Sequence, residues 1–167
     1  QTLKSLVKKP KMVITDSQVF GRVSKEVPRD VALTSFSILM ARYKGELATL
    51  LQGVAALTKI QSGNKVLISE GCTHHRQCND IGTVKMPAWI KNYTGKELEF
   101  SFTSGTEFPD DVSEFALVVH CGACMLNDKE MHDRLRRINK SGTPCVNYGI
   151  AIAQMHGILK RSLSPFP

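Results

Sequence analysis

Long hydrophobic runs are missing from this chain. Charged or polar residues interrupt even its most apolar stretches, and none approaches the roughly 20 residues that a bilayer-spanning helix requires. The expectation is a soluble protein with no membrane partner. No hydrophobic segment precedes the first lysines, so a secretory signal is not expected either. Five cysteines is an odd number in a chain of 167 residues, which fits a secreted disulfide scaffold poorly and a reducing, cytoplasmic setting well. Acidic residues are in short supply, 15 against 22 Lys and Arg, for a net charge of +7. That balance alone points to nucleic acid, but its distribution does not. Residues 1–60 carry ten basic and four acidic side chains, whereas the remaining 107 carry twelve and eleven. The cysteine-bearing part is nearly neutral, so no nucleic-acid partner is expected. The apolar share, 42%, is enough for a core without covalent staples.

After the linker-like KSLVKKPK, the segment MVITDSQVF predicts a short strand and FGRVSKEVPRD a loop. LTSFSILMARYKGELATLLQGVAALTKI carries the longest helical signal. Phe36, Leu39, Met40, Tyr43, Leu47, Leu50, Leu51, Val54 and Leu57 recur at helical intervals, Thr34 or Ser35 supplies a cap, and Gly45 is a point where the segment divides. This stripe is wider than a solitary element can use; it packs on its own domain or on a second copy of the chain. QSGN, residues 61–64, marks a boundary between a segment 1–62 and a domain 63–167. Beyond it KVLIS, KELEFSF and EFALVV predict strands alternating with helices, and PCVNYG leads into a last helix, IAIAQMHGILKR. The fold class is α/β: a mainly parallel sheet covered by helices, preceded by a small α+β segment.

Cysteine and histidine are concentrated in two short stretches, GCTHHRQC and HCGAC, each directly after an expected strand. In parallel sheets, ligands sit beyond the carboxyl ends of the strands, so both stretches are expected at one rim. Cys72, Cys121 and Cys124 are the minimum thiolate set, with His74 and His120 as imidazoles available for a further position and Gly122 permitting a tight turn between the two later thiols. A helix start after HCGAC is placed to stabilise their charge. Three chemistries remain open on these residues: a zinc site stabilising a protein-interaction module, an iron-sulfur cluster, and a CxxC redox dithiol. Cys145 reads as a packed core thiol, and His132 and His156 as ordinary helix residues. Arg76, Lys85, Arg134, Arg136 and Arg137 are candidate guides for an anion, while Asn147 and Tyr148 either line a pocket or cap the final helix.

GCTHHRQCNDIGTVKMP, VVHCGACM, TPCVNYGIAIAQMHGIL, ITDSQVF and LTSFSILMARYKGEL together resemble the carboxyl-terminal two-thirds of the HydF family of diiron hydrogenase maturation proteins. The likeness covers almost the whole chain. Its most specific sign is Cys72-x-His74 separated by 45 intervening residues from His120-Cys121-x-x-Cys124. The resemblance implies a 4Fe-4S cluster held by Cys72, Cys121 and Cys124, with an exchangeable fourth site that His74 or His120 occupies or influences. It further implies a scaffold or carrier that accepts a diiron subcluster precursor bearing CO and CN ligands. The other partners implied are two radical-SAM maturases, apo-hydrogenase as the recipient, and a second copy in a homodimer formed through the first segment. HydF-like proteins usually begin with a GTP-binding domain, yet no GxxxxGK[ST] phosphate loop occurs in these 167 residues. This chain is therefore expected to be non-catalytic, with GTP hydrolysis confined to a separate domain of the parent protein.

Overall fold

The computed structural model describes residues 5–44, 46–71 and 80–166. Its first unit is a small βαβ: β1 (Met12–Thr15) runs parallel to β2 (Ala32–Ser35), Met12 opposite Ala32, with α1 (Phe20–Glu26) between them. Helix α1 falls in the segment expected to be a loop. Pro28 lies beyond its end, and Phe20 and Val27 are buried with Val23 packed beside them, a helical spacing that outweighs the breakers. Strand β2 was also hidden, inside the expected helical stretch. Its last residue, Ser35, caps α2 (Phe36–Tyr43) by accepting from the Ile38 amide at 3.4 Å, and α3 (Leu47–Lys59) follows. The division expected at Gly45 falls between these helices; Gly45 itself lies outside the described residues.

The wide apolar stripe splits in two. Leu50 and Leu57 are buried within the chain, whereas Phe36 and Tyr43 remain 58% and 80% exposed. Helix α3 lies directly on the second unit, a four-stranded parallel sheet of β3 (Lys65–Glu70), β4 (Glu99–Ser104), β5 (Leu117–His120) and β6 (Cys145–Asn147). The strand order is β4-β3-β5-β6. The chain thus moves one way from β3 to β4 and then returns past β3 to β5. With this order, the right-handed rule for parallel crossovers assigns α4 (Met86–Thr94) and α5 (Asp128–Lys140) to opposite faces. Helix α4 is preceded by a turn of π-helix, Ile81–Lys85, capped by Asp80; Pro87 sits in its first turn, where no amide is needed, and Gly95 ends it at φ +64°. The last expected helix is two, α6 (Tyr148–Met155) and α7 (Leu159–Leu163), separated by the turn at His156 and Gly157.

β3 and β5 supply the buried centre: Val66, Leu67, Ile68, Leu117, Val118 and Val119 are at most 1% exposed. These near-continuous apolar runs suit strands covered on both faces. Helix α7 returns to pack on β2, and Arg161 donates to the carbonyls of Ser24, Val27, Pro28 and Val31, so the end of the chain closes over the first unit. Among the described residues no helix is long and apolar enough to cross a membrane.

Gly53 is where α3 meets the sheet most closely, because a Cβ there would run into the Cys145 carbonyl of β6. Backbone cannot step aside as a side chain can. Gly53→Ala should therefore lower stability by about 2 kcal/mol despite alanine's better helix propensity, measured as a shift in the urea midpoint.

Candidate functional site

All four strands are parallel, so their carboxyl ends form one rim. At its centre, β3 and β5 are hydrogen-bonded neighbours, with Ser69 opposite His120. The chain leaves these two strands in opposite directions, which opens the crevice where ligands of such sheets bind. Both cysteine-bearing stretches begin there: Gly71 follows β3 and Cys121 follows β5.

Cys121 is buried, and its Sγ accepts two backbone amides, Gly71 at 3.2 Å and Ala123 at 3.4 Å. Donors of this kind stabilise a thiolate, free or metal-bound, and tune the potential of an iron-sulfur site. Cys124, three residues on, is exposed. The turn between them is not made as the sequence suggested. Ala123, rather than Gly122, takes the left-handed conformation, at φ +52°, a strained choice for a side chain-bearing residue. Gly122 serves close approach instead, since a Cβ there would lie 2.9 Å from Ser37 Oγ. Gly71 is equally confined, between Leu126 and Arg134. The two amides directed at the Cys121 sulfur come from the two cysteine-bearing stretches, and Asn127 caps the α5 that follows by accepting from the Glu130 amide at 2.8 Å.

His120 is fully buried. Its Nε2 lies 3.2 Å from Arg134 Nη1 and its Nδ1 2.9 Å from the Cys121 carbonyl. A guanidinium only donates, so Nε2 accepts and the ring proton sits on Nδ1, donated to the carbonyl. Arg134, expected to guide anions, is itself 1% exposed and turned inward. It donates to Glu130 Oε1 at 2.8 Å, Ser69 Oγ at 3.4 Å and the Gly105 carbonyl at 2.6 Å, and stacks over Phe108 at 5.1 Å. One side chain thus ties together the ends of β3, β4 and β5.

The remaining expectations sort out by position. Arg137 pairs with Asp110 and Asp133, Arg136 with Asp133, and Lys85 donates to Gln18 at 2.9 Å. Asn147 caps α6, accepting from the Ile150 amide at 2.9 Å, and donates to the Ser37 carbonyl; Tyr148 lines a cavity of about 220 Å³ with Glu70, Thr103 and Glu107. Cys145 is packed in β6, where burial, with Glu46 adding to it, pushes its thiol well above the usual range. His132 is exposed on α5 and His156 ends α6. Cys72, His74, Arg76 and Cys78 lie outside the described residues. Among those described, no three or more His, Cys, Asp or Glu side chains gather as a metal site.

Two residues at the junction of the units escaped the sequence reading. The Lys44 side chain, 4% exposed, donates to the carbonyls of Ala123 and Leu126, each at 2.8 Å, and lies 3.5 Å from Asp128. Glu46 is 4% exposed with an Oε1 that accepts no hydrogen bond from the described residues, 3.7 Å from His132 Nε2. Burial raises its carboxyl above the usual value, against the attraction of His132 and Lys44. The only sequence hint was the placement of both around Gly45 in a helical stripe.

Comparison with known families decides the identity. Residues 48–165 match the hydrogen maturase F tetramerization domain and residues 1–45 the hydrogen maturase F dimerization domain. The chain belongs to the hydrogen maturase F family. No curated protein matches it. The two matches meet at residues 45–48, so Lys44, which reaches the cysteine loop, and Glu46, which lies against His132 of α5, sit at the point where one family domain passes into the other.

Two outcomes follow from the buried charges. Arg134→Met removes a guanidinium and leaves three acceptors and Glu130 without it, so it should cost about 3 kcal/mol in chemical denaturation. Glu46 carries the opposite sign of linkage from a paired carboxylate. Its folded-state value lies above the ordinary 4.5, so the unfolded chain ionises first and stability falls as pH rises from there through the raised value. Glu46→Gln should therefore raise the melting temperature at pH 7, with the gain vanishing near pH 4.

Proposed function

We propose that the chain acts as a scaffold or carrier in diiron hydrogenase maturation, holding a 4Fe-4S cluster through Cys72, Cys121 and Cys124. Family membership supports the maturation role. The observation that carries the cluster reading is Cys121: a buried sulfur at the crevice between β3 and β5, with amides from both cysteine-bearing stretches directed at it. Cys72 follows Gly71 directly in sequence, and Cys124 is exposed on the same loop as Cys121. This donor set, one sheltered thiol and one open thiol with a third from the neighbouring strand end, suits a cubane anchored at three irons and accessible at the fourth.

When bound, such a cluster would supply an iron with an exchangeable position. The chain's own residues shape what reaches it. His74 is a proposed ligand or neighbour of that position. His120 would have to surrender Arg134 to bind iron through Nε2, and as it stands it acts through the Cys121 carbonyl. The cargo is a diiron subcluster precursor with CO and CN ligands, received with the help of two radical-SAM maturases and passed to apo-hydrogenase. Residues 1–62 carry dimerisation and 63–167 the cluster, with α3 shared between them: it continues the stripe of α2 and lies on β6. The exposed Phe36 and Tyr43 would be covered by a second copy. GTP binding and hydrolysis would belong to another domain of the parent protein, and the setting would be cytoplasmic.

Anaerobic iron-sulfur reconstitution followed by metal analysis and Mössbauer spectroscopy tests the reading. About four irons per chain in a cubane are expected, and Cys72→Ala, Cys121→Ala and Cys124→Ala should each lose most of the iron. A single tightly bound zinc with no cubane would instead make the chain a zinc-stabilised interaction module, and a reversible Cys121 to Cys124 disulfide coupled to turnover would make it a redox protein.

A further inference from the structure

We propose that Lys44 is a positioning residue for the Cys121 to Cys124 loop, through which the dimerisation unit sets the geometry of the cluster ligands; this rests on the cluster reading above. The ammonium is almost completely enclosed, yet its charge is met by a matched set of acceptors. It has three protons to give, and it faces the carbonyls of Ala123 and Leu126 at 2.8 Å and Asp128 at 3.5 Å. Leaving a buried ammonium short of acceptors is costly, so the contacts are held to their geometry. They bracket Cys124. One carbonyl precedes it, the other follows it by two residues, and Asp128 begins α5.

The loop needs such a holder. Ala123 sits in the left-handed region, which persists in a residue with a side chain only when surrounding structure imposes it. Lys44 supplies that imposition from the end of α2, where its own amide closes the helix on Met40. A cation at a helix carboxyl terminus is also favoured by the helix dipole. Because α2 lies in the part matching the dimerization domain while residues 121–128 lie in the other matched domain, a shift of α2 on assembly would be carried by this side chain to the thiols. Glu46, on the other side of Gly45, reaches α5 at His132, so the junction is fixed to the loop and to the helix that follows it.

The test compares wild type, Lys44→Met and Lys44→Arg with Lys129→Met, which removes an exposed lysine of α5 as a control. In the metal-free chain, hydrogen exchange of amides 122–126 should accelerate about tenfold or more in Lys44→Met, with β3 and β5 unchanged, and should return toward wild type in Lys44→Arg. After reconstitution, the EPR g values of the reduced cluster should shift in Lys44→Met and not in Lys129→Met. Unchanged exchange overturns the proposal, and so does faster exchange with unchanged EPR, which reduces Lys44 to a stabilising contact. Should Lys44→Met fail to fold, the wild type decides through its lysine ammonium resonances: Lys44 protons exchanging about tenfold slower than those of Lys129 support the clamp, and equal rates overturn it. If the wild type assembles no cubane, the cluster reading falls while the exchange data still decide the contact.

Discussion

One buried guanidinium holds the working end of this protein together. Arg134 reaches from α5 across the rim of the sheet and donates to groups at the ends of β3, β4 and β5, with Glu130 as its counter-charge. Its charge is tolerable in the interior only because every direction it points in offers an acceptor or the face of Phe108. That requirement fixes the relative heights of the three strand ends. It also fixes the tautomer of His120, and through His120 the carbonyl of Cys121. The position of the buried thiol is therefore set by electrostatics two side chains away.

Around this centre the site is asymmetric in a way that suits transfer. Cys121 is sheltered and bonded by two amides, while Cys124 faces outward. Under the reading proposed above, a carrier would have to retain its own cofactor while leaving one side of it approachable, and a loop with one enclosed and one open thiol would meet both demands. The loop itself is strained at Ala123 and is held from outside by Lys44, which arrives from the first unit. The first unit is in turn closed by Arg161 from the last helix. The two family domains are thus laced together at both ends of the chain, and a displacement of the first has a short mechanical route to the Cys121 to Cys124 loop.

Much of this was legible in residue order. Alternating strands and helices announced the α/β sheet, because apolar runs bounded by glycine and polar turns admit few other arrangements. The placement of both cysteine stretches directly after strands pointed to one rim, and the structure places Gly71 and Cys121 there, with residues 72–79 outside those described. Helix α1 and strand β2 were not legible. Phe20, Val23 and Val27 carry too short a helical pattern to stand against Gly21 and Pro28, and Ala32–Ser35 resembles the start of the helix that follows it. Only packing against α6 decides α1, and only pairing with β1 and packing against α7 decide β2.

By itself, then, the sequence determined the class of fold, the family, and the expectation that Cys72, His74, His120, Cys121 and Cys124 belong together. These depend on local periodicity and spacing, which a linear reading retains. Tertiary structure alone decided that Arg134 points inward, that both nitrogens of His120 are engaged, that Ala123 bears the turn, and that Lys44 grips the loop. Each of these depends on contacts between residues well separated in sequence, 14 positions for Arg134 and His120 and 82 for Lys44 and Leu126, or on a backbone angle that such contacts impose. Charge and hydrogen bonding are satisfied in space, and nothing in the order of residues states which acceptor a buried cation will find.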